Sequence, residues 1–250
     1  MRRNKIIRYA LSYLILTLVL VVAVFPIVYT VTASFKTNRE ILTNPGSLIP
    51  AEPTLENFKL IFTSDTFNFL PMLFNSIYYT LANVAIMVVL SSMAGYVFSR
   101  GKFPGRNFLF ACFSLLMFVK TGGIEIYPKF EILGLFHLTR GLPALLFLNM
   151  FAVPVANMYL VRGYVDALPK ELDESAEMDG CTFISTFFRI VLPLIKPILA
   201  TIAILTFQGS WNDYLMPTIF TINNPEQQTL IVGLMALKSS SGADQLEYHA

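Results

Sequence analysis

The residue types that could do chemistry are few in this chain, and most fail the spacing tests. His137 and His249 stand alone, with no Ser/His/Asp, paired-histidine or metal-ligand spacing around them. Cys112 lies in an apolar run and Cys181 in a polar one, with no CxxC or Cys/His pattern, so neither a metal site, a disulfide framework nor a resident cofactor is expected. GKFPGR lacks the spacing and the following hydroxyl of a phosphate loop, so no ATP site is expected in this chain and it is not expected to be an enzyme. What remains is one long charge-dense stretch, 166–197, and a set of amides and carboxylates inside apolar runs.

The stretch reads DALPKELDESAEMDGCTFISTFFRIVLPLIKP. Pro169 suits a first helical turn, and Glu171, Asp173 and Glu174 suit a helix N-terminus, which predicts a helix starting near Pro169. Gly180 can take the left-handed conformation that ends a helix, and the Thr182 side chain can start the next. Phe183, Phe187, Ile190 and Leu194 then give the second helix one apolar face, until Pro193 and Pro197 interrupt the pattern. The expected unit is a helix, a glycine bend and a second helix whose apolar face needs a packed partner.

The remainder of the chain belongs in a bilayer. Hydrophobic residues make up 55% and charged residues 14% of the 250, and the mean hydropathy is +0.61, far above a soluble globular domain. A net charge of +2, with the basic residues dispersed at the ends of apolar runs, excludes nucleic acid as a partner class.

Four basic side chains in MRRNKIIR precede an apolar run over 9–34, longer than the roughly 20 residues needed to cross a bilayer and longer than a signal-peptide core of about 7 to 15. The N-terminus is therefore expected in the cytoplasm. An N-terminal part, 1–72, would hold this span and a polar, proline-punctuated extracytoplasmic loop; a second part, 73–250, would hold spans near 74–98, 107–125, 141–161 and 198–220. Ser91, Ser92, Ala94 and Gly95 would let a neighbouring helix approach closely. The run 107–119 is short for a span and is followed by KTGGIEIYP. Lys120 and Glu125 there either border a polar path or mark a helix that ends with Lys120 at the interface.

Asn149 and Asn157 are amides expected to face other helices in the fourth span, and Trp211, Asn212 and Asp213 lie near the outer end of the fifth, in GSWNDYLMP. Trp211 and Tyr214 fit equally an interfacial aromatic belt with Asp213 at headgroup level. By this topology eleven of the 18 basic residues lie inside, which agrees with positive-inside orientation.

ESAEMDG followed by FRIVLPLIKP resembles the EAA loop of ABC importer permeases, with Glu174, Ala176, Asp179, Gly180, Ile190, Leu192, Pro193 and Pro197 matching its pattern and Ser175 and Cys181 in place of its usual alanines. ENF, FNS near Asn75, SRGKFPGR, SWNDYLMP and TLIVGL occur in the order seen in carbohydrate permeases, and the whole resembles the smaller permease subunit of maltose-type importers. The resemblance implies an all-α, polytopic bundle of the type I ABC importer kind, with five spans expected and the family's sixth, after about Gly242, missing.

It further implies a place in the bacterial plasma (inner) membrane, beside membrane lipid. The implied partners are a second permease chain in a heterodimer, two cytoplasmic ATPase subunits and an extracytoplasmic solute-binding protein that delivers a sugar or oligosaccharide. ATPase docking falls to Glu171, Leu172, Glu174, Ser175, Ala176, Asp179 and Gly180, and a translocation pathway to Asn149, Trp211, Asn212 and Asp213. The loop 221–243 would reach toward the binding protein. A rival reading, an ion-gradient-driven secondary transporter, would use Lys120, Glu125 and Asp213, but no inverted repeat accompanies them.

Overall fold

A computed structural model of the chain describes residues 2–63, 67–119, 122–138 and 140–247; Lys120 and His249 lie outside them. Among the described residues the secondary structure is entirely helical. The chain divides into two compact units, Met1–Phe69 and Leu70–Ala250.

The first unit begins with α1, Arg2–Ala33, whose segment Leu11–Ala33 has a mean hydropathy of 2.8. Its apolar side chains from Leu11 to Val22 are exposed on every face, as suits a helix surrounded by lipid. The polar loop that follows carries two short helices, α2 (Asn38–Thr43) and α3 (Glu56–Thr63). Lys36, fully buried, ties it together. Its ammonium donates to the Ser47 carbonyl, and its alkyl stem accounts for why a charged residue tolerates the site. Asn57 Nδ2 donates to the carbonyls of Ser34 and Lys36 at 3.0 and 2.9 Å, and Phe35 packs on Phe58 at 5.4 Å.

The second unit is organised along α4, Phe69–Arg100. At about 1.5 Å per residue its 32 residues reach about 48 Å, well beyond a hydrocarbon layer of roughly 30 Å. Two apolar clusters form on it. One joins Tyr79 to Leu133, to Leu142, Leu145 and Leu148, and to Phe220; the other joins Tyr96 to Val161, Val165, Phe187, Val191, Ile195 and Ile202. Small residues bring the second cluster close. A Cβ placed on Gly95 would lie 2.5 Å from Val161 Cβ and Cγ1, closer than two carbons can sit, so only glycine permits this crossing.

The remaining apolar runs are not straight rods. Over 107–125 the structure has an 11-residue helix, α5 (Arg106–Leu116), then a 3-10 turn, Gly122–Glu125, that leads into α6 (Ile126–Leu135). Over 141–161 there are two helices, α7 (Leu142–Met150) and α8 (Val155–Asp166), bent by 44° where Pro154 supplies no N–H. Two helices are long and apolar enough to cross a membrane on their own, and up to four spans result if each bent pair counts as one.

The tail expected as a polar loop over 221–243 is instead a 3-10 turn, Pro225–Gln227, followed by a helix, Leu230–Glu247. LIVGLMAL gives that helix its apolar run, a signal outweighed in the sequence by the surrounding polar residues. The turn is stapled to the rest of the unit. Asn75 Nδ2 donates to the carbonyls of Glu226 (2.7 Å) and Gln228 (3.0 Å); the Leu230 amide donates to Ser76 Oγ at 2.7 Å. The Leu142 amide donates to Gln227 Oε1 at 3.1 Å, and a Cβ on Gly141 would meet that oxygen at 2.2 Å.

Two outcomes follow for variants. Gly95→Leu forces α4 and α8 apart and should cost about 1–3 kcal/mol, read as a lowered melting temperature in detergent; a melting temperature equal to that of the unmutated chain would contradict the close crossing. Asn75→Ala removes two hydrogen bonds and should loosen residues 224–230 by about 1–2 kcal/mol, seen as faster amide exchange there with the 171–194 region unchanged.

Candidate functional site

The polar stretch folds as a capped helix pair. The first helix, α9, runs Glu171–Met178 with Glu171, Asp173 and Glu174 in its first turn, where the amides of Asp173 and Glu174 donate to Lys170 O at 2.9 and 3.1 Å. It starts two residues after Pro169. At its end Gly180 has φ +77°, the Cys181 amide donates back to Ala176 O at 2.9 Å and the Gly180 amide to Glu177 O at 3.0 Å. This paired closure uses the left-handed residue that glycine adopts freely. Thr182 then accepts from the Ser185 amide at 3.3 Å and opens the next helix.

That helix, α10 (Phe183–Leu194), contains a π turn over Phe187–Val191. Wider by about one residue per turn, the π turn moves the buried face. Phe187, Val191 and Ile195 are buried, whereas Leu194, expected on the apolar face, is 42% exposed. A 76° bend separates α10 from α11, Lys196–Trp211, with Pro197 in the first turn of the new helix.

Of the expected docking residues, Ala176 is buried at 2%. Glu171, Leu172, Glu174, Ser175, Asp179 and Gly180 are exposed, as is Met178 at 88%. Ser175 Oγ donates to Glu171 O at 2.7 Å, internal to the helix. The acidic outer face of α9 is therefore unoccupied by this chain's described residues, while its inner face is held by α4. Arg100 Nε lies 2.7 Å from Asp173 Oδ2, and Arg100 Nη2 donates to Leu168 O at 2.8 Å. One turn back on α4, Tyr96 stacks on Phe183 with ring centroids 4.5 Å apart and donates to Phe183 O at 3.3 Å.

A second polar site lies further along α4. A cleft of about 440 Å³ is lined by Tyr79, Asn83, Lys129, Asn149, Ser210 and Asp213, among others. Asn149 Nδ2 donates to Asn83 Oδ1 at 3.0 Å, Asn83 Nδ2 to Ser210 Oγ at 2.7 Å, and Tyr79 Oη to Asp213 Oδ2 at 3.3 Å. The Met216 amide donates to Asp213 Oδ1 at 3.3 Å at the break between α11 and α12, Leu215–Thr221. Helix breaks thus deliver the polar groups: Asn149 ends α7, Asn157 follows its bend, and Asp213 fills the gap after α11. Such a lining can hydrogen-bond a polar solute from several sides.

The structure brings Asn149 and Asp213 together and places Trp211 and Asn212 outside this lining. Trp211 stacks on Phe207 at 5.6 Å, and Asn212 Nδ2 donates to Gln208 O of its own helix at 2.8 Å. Glu125 does not line the cleft but pairs with Lys129, which does, at 3.5 Å. Tyr79, Asn83 and Ser210 escaped sequence reasoning. Their signal was present as polar residues at i, i+4 within an apolar run, but it is shared by any helix-packing stripe.

The geometry has relatives. The Bacillus subtilis galactooligosaccharides transport system permease protein GanQ is 32% identical over 95% of this chain and 83% of its own. The Halalkalibacterium halodurans arabinooligosaccharides transport system permease protein AraQ is 34% identical over 88% of this chain and 78% of its own. A solved structure of a bacterial ABC transporter involved in the import of the acidic polysaccharide alginate superposes with a TM-score of 0.76 at 22% identity, covering 93% of this chain and 80% of that one; this shows a common fold. The model of the family described as "binding-protein-dependent transport system inner membrane component" matches residues 1–244. With an exposed acidic helix, α9, at one end of α4 and a polar cleft further along it, this chain belongs to that family of inner-membrane permease components, in which ATP hydrolysis is carried by a separate subunit.

Proposed function

We propose that the chain forms half of the pathway of an ATP-driven oligosaccharide importer, paired with a second, different permease chain. Two ATPase subunits would sit on the cytoplasmic side and an extracytoplasmic binding protein would deliver the solute. The N-terminus and the α9–α10 pair lie in the cytoplasm in this reading, supported by the distribution of basic residues. Oligosaccharides as solutes are supported by the names of the relatives, GanQ, AraQ and the maltodextrin permease MdxG of Bacillus subtilis.

One observation carries the reading: α9 offers an outward face of Glu171, Leu172, Glu174, Ser175 and Met178, ended by a closed glycine turn at Asp179 and Gly180. A short, stiff helix with unpaired carboxylates is the shape that a cleft in an ATPase can grip and move as a body. Asn149 and Asp213, with Trp211 and Asn212 close by in sequence, serve the solute, since amides and a carboxylate accept and donate to sugar hydroxyls in any rotation.

Gly180 sits at φ +77°, whereas proline fixes φ near −65°, so Gly180→Pro breaks the turn between the helices. Capture of the ATPase subunits by the purified chain should be lost in a Glu174→Lys, Gly180→Pro double variant and kept by the unmutated chain; equal capture by both would refute docking at α9. In the cleft, Asn149→Leu with Asp213→Leu should lower ATP-dependent sugar import about tenfold with ATPase capture intact. Import that persists without ATPase subunits and collapses with an ion gradient would overturn the reading in favour of a secondary transporter.

A further inference from the structure

The docking reading leaves open how a push on α9 reaches the cleft. The helix pair packs on α8 through Phe187, Val191, Val161 and Val165, and its polar contacts to the rest of the unit fall on the last two turns of α4. Tyr96 and Arg100 are four residues apart and so lie on the same face of α4. Tyr96 holds the second helix, stacked on Phe183 at 4.5 Å and tilted on Phe187 at 5.1 Å. Arg100 holds the first, through Asp173 at 2.7 Å and the Leu168 carbonyl at 2.8 Å. The Arg100 and Asp173 side chains are 10% and 26% exposed, so water screens the pair poorly and a lost partner leaves a charge uncompensated.

The same helix end is itself braced. Arg106 Nη1 donates to the carbonyls of Ser99 and Gly101 at 3.1 and 2.9 Å, and Ser99 Oγ donates to Asp166, which lies just ahead of the pair. Upstream on α4 stand Asn83 and Tyr79 of the cleft, then Ser76 and Asn75, which hold the 225–227 turn. No helix break interrupts α4 between these points.

We infer that Arg100 and Asp173 form a positioning clamp that makes α4 and the docking pair one lever, so that movement of α9 reaches the cleft along α4 rather than being absorbed at the turn. The clamp rests on the docking reading above. Neither residue touches solute; both act through α9 and α4.

The test uses the complete transporter in liposomes, with its second permease, ATPases and binding protein, and reads ATPase capture, import rate and ATP hydrolysed per sugar imported. Arg100→Ala and Asp173→Ala should each lower import about tenfold and raise the ATP consumed per sugar, with ATPase capture kept within about twofold of the unmutated chain. The charge-reversed pair Arg100→Asp, Asp173→Arg should regain most of the import that either reversal alone loses, which general destabilisation would not produce. Import and stoichiometry unchanged in both alanine variants would overturn the clamp and leave docking standing. Failure of the double reversal to regain more than the single ones would also overturn it. Absence of ATPase capture by the unmutated chain would overturn docking and, with it, the clamp.

Discussion

Two side chains a turn apart, Tyr96 and Arg100, tie the docking helix pair to the end of α4. The other contacts of the pair to the unit, through Phe187 and Val191, are apolar and constrain separation more than angle. Arg100 meets Asp173 as a charge pair and donates a directed hydrogen bond from Nη2 to the Leu168 carbonyl, and a planar guanidinium can serve both at once. Lysine in its place would keep the charge and lose the geometry.

The rest of the second unit follows from the need to keep α4 whole while breaking its neighbours. Polar groups inside a membrane protein are tolerated where they are paired or line a cavity. Here Asn83, Asn149 and Ser210 satisfy one another in a chain of bonds of 2.7 and 3.0 Å, and the bend at Pro154 and the helix break after Trp211 bring the remaining groups to the same cleft. Gly95 permits α8 to cross closely enough for the second apolar cluster to close around Tyr96.

Much of this was legible before the structure because it rests on local rules. The bend at Gly180, the cap at Thr182 and the acidic first turn of α9 are encoded within a few residues of where they act. The π turn over Phe187–Val191 was not legible, because no residue type specifies it, and with it Ile195 rather than Leu194 is buried. The helix over Leu230–Glu247 was misjudged because a short apolar core sits inside a polar tail. Arg100 looked like a mark of topology, because a basic residue after an apolar run satisfies that rule whatever it touches.

If α4 and the docking pair move as one body, the distance between them is fixed through the transport cycle. Spin labels at Met93 on α4 and Met178 on α9, both exposed at 48% and 88%, would measure it by pulsed electron resonance in the assembled transporter, with Cys112 and Cys181 replaced. The account predicts the same distance, within about 2 Å, in nucleotide-free and ATP-trapped states. A change of several ångströms between those states would mean that the helix pair pivots on α4, and would contradict the lever.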